Sequence, residues 1–236
     1  MSCDISACAS DPVRALLPSK PGLVSLIGSG GKTSLMFALA AGLQGQGQKV
    51  LTTTTTKIFQ PSLLQSPFFH CTPDPVQWLS SHRELAALHG HMTMAESVLP
   101  EGKMQGFSPQ TVEAVQSLGL FDWILLEADG AAHRPLKAPA EHEPVVPEAT
   151  SLVLTVAGMW GVGKPLCSQW VFRPERFALL AGMRLQDTIF PEHLSRVLVH
   201  PQGPLKASPS QSRNVLFLNL GSGHKNKGRI KEEWVQ

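Results

Sequence analysis

The chain has 236 residues, 42% of them hydrophobic, and a formal net charge of +2 at pH 7. That length supports one α/β domain with a substantial core, the charge is too small to argue for nucleic acid or an anionic membrane surface as partner, and no apolar run reaches the roughly 18 residues of a membrane span. Cys3, Cys8, Cys71 and Cys167 include no C-x-x-C pair, so neither a disulfide framework nor a zinc site follows, and reduced thiols in the cytoplasm are expected.

Residues 1–20 are expected to be a flexible N-terminal segment. They carry Asp4, Asp11 and Arg14 and lack the continuous apolar stretch of a signal peptide. Residues 21–220 then read as one α/β domain, and 221–236 as a polar, basic tail. The domain opens on Leu23-Val-Ser-Leu-Ile27, an apolar strand that breaks at Gly28, passes through Ser29-Gly30-Gly31 and reaches Lys32-Thr33-Ser34. A helical stripe of Leu35, Met36, Leu39 and Leu43 follows at once.

Strand, glycine loop, Lys-Thr and helix make a phosphate-binding loop. Glycines let backbone N–H groups curl around phosphate oxygens, and the helix start adds partial positive charge. Lys32 is expected to neutralise the outer phosphates and Thr33 to ligate Mg²⁺. Leu26 stands where the usual first glycine would be. The shortened Gly28-x-x-Gly31-Lys32-Thr33 loop resembles those of the Mur ligases and folylpolyglutamate synthetases. A dinucleotide fingerprint fits less well, because the third glycine is missing and a lysine replaces bare backbone.

Gly45 is a stop signal for the first helix. Lys49 to Lys57, with five consecutive threonines, reads as a second strand on its β-branched content. Thr52, Thr54 and Thr56 would share one face. Either the threonines are simply good strand formers, or the last few, with Lys57, serve the site.

Proline punctuates residues 61–75, and Trp78 to Leu88 has helical spacing. His82, His89 and His91 have no carboxylate or cysteine partner at helical spacing and are expected in solvent. Ser108 and Pro109 are a natural N-cap and first position for a helix to Leu118.

Trp123-Ile-Leu-Leu126 predicts a buried strand ending in Glu127 and Asp129. Two residues apart in extended backbone, both carboxylates point the same way. This is a Walker-B pattern, in which a strand-end carboxylate holds Mg²⁺ and a second positions a nucleophile. Lys32, Glu127 and Asp129 are therefore the candidate catalytic set, and Thr33, Glu127 and Asp129 the candidate metal set. The proline-rich loop that follows carries His133, Arg134, Lys137, His142 and Glu143. It lies at a strand's carboxyl end, where α/β folds bind ligands, and is expected to present a second substrate or a partner.

Ser151 to Gly158 predicts another strand. Gly161-Val-Gly-Lys-Pro165 imitates a second phosphate loop, but proline replaces the hydroxyl that would ligate the metal. Helices are expected from about Phe172 to Leu180 and from Thr188 to His200, and a last strand over Asn214 to Asn219. Arg173 suits either a surface ion pair or charge stabilisation at a transferring phosphoryl group.

From Leu23 to about Asn219 the chain resembles the YqeC family, accessory proteins of selenium-dependent molybdenum hydroxylases. The resemblance rests on Gly28-Ser-Gly-Gly-Lys-Thr33, Thr53-Thr-Thr-Thr-Lys57, Glu127-Ala-Asp-Gly130 and Arg134-Pro-Leu-Lys-Ala-Pro-Ala-Glu-His-Glu-Pro144, with weaker support from Gly163-Lys-Pro165 and Arg173-Pro-Glu175. It implies a P-loop NTPase-like, three-layer α/β fold with a mostly parallel sheet and helices on both faces. It also implies Mg²⁺ with ATP or GTP, and a role in maturing a molybdenum hydroxylase or an intermediate of its molybdenum cofactor. The family's last strand looks as though it runs into a guanine-reading Asn-x-x-Asp pattern. Here Asn219 is followed by Leu-Gly-Ser, so ATP and GTP both remain open. An ATP-dependent ligase or small-molecule kinase and a non-catalytic, nucleotide-gated chaperone are the rival functions.

Overall fold

A computed structural model describes residues 16–221. Most of the N-terminal segment and nearly all of the basic tail lie outside the described residues. In chain order the strands are β1 (Leu23–Gly28), β2 (Val50–Thr54), β3 (Lys57–Phe59), β4 (Phe69–Cys71), β5 (His91–Ala95) and β6 (Ser97–Val98). They continue with β7 (Lys103–Gln105), β8 (Trp123–Glu127), β9 (Leu136–Lys137), β10 (Leu152–Gly158), β11 (Val171–Phe172) and β12 (Arg213–Asn219). The α-helices are α1 (Lys32–Gly45), α2 (Pro75–Ser81), α3 (Arg83–His89), α4 (Pro109–Ser117), α5 (Pro174–Ala181) and α6 (Pro191–Val199).

Seven strands form one sheet in the order β12-β10-β1-β8-β2-β5-β4. Every neighbouring pair in it is parallel. The expected α/β architecture with a parallel sheet is therefore present. Both faces are covered, so β1, β2, β8 and β10 are buried along their whole lengths, as parallel sheets require. Successive residues of β8 alternate between two cores. Trp123 and Leu125 join Met36, Leu39 and Leu43 of α1, whereas Ile124 and Leu126 join Leu79 of α2 and Val112 and Val115 of α4. A third core gathers Leu136, Phe177, Leu180, Leu194 and Val197 around β9, α5 and α6. Edge strand β12 is the least enclosed, with Leu216 and Leu218 each 46% exposed.

Three expectations need correction. The threonine strand stops at Thr54, whose hydroxyl donates to the Glu127 carbonyl (2.7 Å) and accepts from the Thr56 amide (3.0 Å). That side-chain turn competes with the ladder, and the chain bends into the separate antiparallel sheet β3-β7-β6. The single helix read over Trp78–Leu88 is two helices. His82 turns its ring onto Trp78 (centroids 4.5 Å) and its Nδ1 to the Trp78 carbonyl (2.8 Å), the acceptor its own amide would use in a continuing helix. His91 is not in solvent: it is 1% exposed, opens β5, and its Nε2 lies 3.0 Å from Thr52 Oγ1. Burial pulls its pKa down to about 4.

Candidate functional site

β1 delivers the glycine loop beside the ends of β8 and β10, with Leu26 opposite Glu127 and Gly28 opposite Val156. Three glycines are required by the geometry, the first being Gly28 (φ 90°), whose Cβ would collide with the Val156 carbonyl oxygen. Gly30 (φ 79°) and Gly31 (φ 119°) occupy left-handed backbone that L side chains resist. A Cβ on Gly30 would sit 2.6 Å from Gly158 Cα, and one on Gly31 would collide with the Asn219 side-chain amide. The loop is held from both sides. The Ser29 amide donates to the Val156 carbonyl (2.8 Å), the Ser29 hydroxyl to the Pro135 carbonyl (2.9 Å), and Asn219 Nδ2 to the Gly30 carbonyl (2.8 Å). α1 starts at Lys32 with no side-chain cap. Its first amides are thus left for an anion, which the helix dipole favours.

Behind the loop lies a chain of alternating charges. Lys32 is 4% exposed. Its ammonium donates to the Gly28 carbonyl (2.7 Å) and stands 3.4 Å from Glu127 Oε1 and 3.1 Å from Asp129 Oδ1. Asp129 Oδ2 accepts from the Gly28 amide (3.0 Å) and from Lys137 (2.9 Å). Lys137 reaches Glu143 Oε2 (2.9 Å), and Glu143 takes a two-pronged grip from Arg173 at 2.7 and 3.0 Å. The order Glu127, Lys32, Asp129, Lys137, Glu143, Arg173 places three anions and three cations in strict alternation.

Burial alone would drive Lys32 toward its neutral form. Asp129 and Glu127 outweigh it and hold the pKa above the ordinary 10.5. For Glu143, burial pushes upward, but Arg173 and Lys137 bring the carboxyl down to about 2.

The hard-oxygen donors suited to Mg²⁺ are Thr33 Oγ1, which donates to Glu127 Oε2 at 2.6 Å, and the two carboxylates. Asp129 Oδ1 is buried and, although near Lys32, makes no well-directed hydrogen bond. It is a buried carboxylate oxygen with acceptor capacity to spare, which fits a hard cation.

The structure thus brings together Gly28, Ser29, Gly30, Gly31, Lys32, Thr33, Glu127, Asp129, Lys137 and Glu143. Ser34 is exposed on the first turn of α1. Thr56 is half-buried next to Gly130, with its Oγ1 3.8 Å from where a Cβ on that glycine would stand. Lys57 is exposed on β3, Arg134 is half-buried at the end of a turn, and His142 is exposed. None of these last three joins the charge chain.

Arg173 was legible only as a choice between an ion pair and a phosphoryl contact, and it is an ion pair with Glu143. Asn219 was missed as a loop clamp. Its one signal was an asparagine closing the last strand.

A protein family described as "YqeC protein" matches residues 24–175. A relative from Escherichia coli (strain K12) described as "Uncharacterized protein YqeC" is 36% identical over 200 residues, covering 85% of this chain and 76% of the relative. No solved structure matches the chain.

Proposed function

The chain belongs to the YqeC family, and on that premise we propose that it binds a nucleoside triphosphate with Mg²⁺ and acts as an NTPase or phosphoryl-transfer enzyme. The supporting observation is Lys32 set between Glu127 and Asp129 behind an uncapped glycine loop. The family resemblance supplies the biological setting of the proposal, maturation of a selenium-dependent molybdenum hydroxylase or its cofactor.

The loop amides and the start of α1 would receive the phosphates, and Lys32 would move from the Gly28 carbonyl to the outer ones. Thr33, Glu127 and Asp129 would hold Mg²⁺, which when bound neutralises charge on the phosphoryl oxygens. Withdrawing Lys32 takes its cation from buried Glu127 and leaves buried Asp129 with Lys137 alone, which is costly. Nucleotide affinity should therefore depend strongly on Mg²⁺. Asp129, still oriented by the Gly28 amide and Lys137, would place the attacking group.

A non-catalytic, nucleotide-gated role is the second reading. It draws on the charge chain, which links the loop to Arg173 at the start of α5.

Calorimetric titration with ATP and with GTP, each with and without Mg²⁺, tests the site. Binding of either with Mg²⁺, at least tenfold weaker in EDTA and lost in Lys32→Ala, is the expected result. No binding, or affinity retained in the variant, would sink the assignment. Turnover with bound nucleotide would then separate the enzymatic from the gated reading.

A further inference from the structure

The site has a direction. On the triphosphate reading, Thr33, Glu127 and Asp129 would hold the metal, and with it the outer phosphates, on the β8 side of the loop. The nucleoside must therefore leave on the opposite side, toward the ends of β10 and β12. There the chain places a large aromatic ring. Trp160 lies in the 3₁₀ turn Met159–Gly161 directly after β10. Its indole rests on two glycines: a Cβ on Gly158 would come 2.8 Å from Cη2, and one on Gly221 3.1 Å from Cε3. Gly158 in turn abuts Gly30 of the phosphate loop, so the ring stands one residue away from the cradle.

Asn219 completes that wall. It donates to the Gly30 carbonyl, and its Oδ1 accepts from the Gly221 amide (3.0 Å). The contrast with other tryptophans is informative. Trp78 stacks on His70 and His82, Trp170 carries Lys164 at 5.1 Å, and Trp123 is 4% exposed in a core. Trp160 makes no aromatic or cation–π contact among the described residues and remains 37% exposed.

We propose that Trp160 is the stacking platform for the base of the bound nucleotide, with Asn219 and Gly221 as the adjoining wall. The proposal rests on the triphosphate reading of the loop and adds the base subsite to it. Stacking accepts any base with a π face. No carboxylate follows Asn219 before Glu232, so ATP and GTP should bind within a few-fold of each other.

The test titrates Mg·ATP, Mg·GTP and Mg·tripolyphosphate into wild type, Trp160→Leu and Trp160→Phe. Trp160→Leu should weaken both nucleotides by roughly 10- to 100-fold, the size of one base-stacking contact. Tripolyphosphate, which has no base, should bind that variant as it binds wild type, and Trp160→Phe should recover most of the nucleotide affinity. Indole emission present in wild type and absent from Trp160→Phe should be quenched by nucleotide and not by tripolyphosphate. Unchanged nucleotide affinity in Trp160→Leu overturns the proposal, as does an equal loss for tripolyphosphate, which would make the ring a prop for the loop. Wild type that binds neither tripolyphosphate nor nucleotide overturns the phosphate loop itself, and the base platform with it.

Discussion

At the scale of single residues, the site is governed by how buried charges find partners. Glu143 is the clearest case, because its folded pKa of about 2 lies below the ordinary 4.5. A depressed carboxylate contributes stability above its unfolded pKa and loses it as pH falls toward the folded one. The window here is pH 4.5 to 2, and the shift corresponds to about 3 kcal/mol. Arg173→Ala removes the largest downward influence. It should cost about 1–3 kcal/mol at pH 7, and urea unfolding from pH 5 to 2 should show a shallower acid limb than wild type. An unchanged limb would mean that Lys137 alone holds the carboxylate. Lys32 was legible in sequence as the lysine of the glycine loop after one strand, and Glu127, Asp129, Lys137 and Glu143 as charged groups at the end of another. Their alternation was not, because it depends on β9 folding Lys137 back over Asp129 from eight residues away.

Secondary-structure elements were legible wherever local chemistry agreed with their burial. Ser108 and Pro109 open α4 as expected, with the Ser108 hydroxyl accepting from the Thr111 amide at 3.1 Å. Ser108→Ala should lower stability by about 1 kcal/mol in chemical denaturation. The strand β5 escaped notice because His91-Met-Thr-Met-Ala95 is short and begins with a residue normally found near water. Thr52 and Thr93 make its burial tolerable. A buried histidine with its pKa lowered from 6.5 to about 4 favours its neutral form. Stability from it is present above pH 6.5 and is lost as pH falls toward 4, by up to about 3 kcal/mol. His91→Gln should therefore flatten the stability profile between pH 6.5 and 4 while leaving the lower window of Glu143 in place.

Across the whole molecule, the fold was legible because its signals repeat: buried apolar strands, helices between them, and function at the strand ends. The two small sheets were not, since β6, β9 and β11 are two residues long and are specified by their partners rather than by their own pattern. A ligand held across β1, β8 and β10 acts on the folded state alone. Mg·nucleotide at 100 times its dissociation constant should add about 2.7 kcal/mol. For a chain of this size that raises the melting temperature by roughly 5–11 °C. No shift with either nucleotide would contradict the binding reading.

Asn219, which clamps the phosphate loop, rides on one of the two edge strands of the sheet. β1 is locked between two neighbours along its length, whereas β12, among the described residues, is paired only to β10. The cradle is therefore as steady on one side as the sheet's centre and on the other only as steady as its border. Hydrogen exchange should make that asymmetry visible, with β12 amides opening far sooner than those of β1 in the free protein. Nucleotide would then slow exchange most along β12, and whatever covers that border would be felt at the phosphates through a single asparagine.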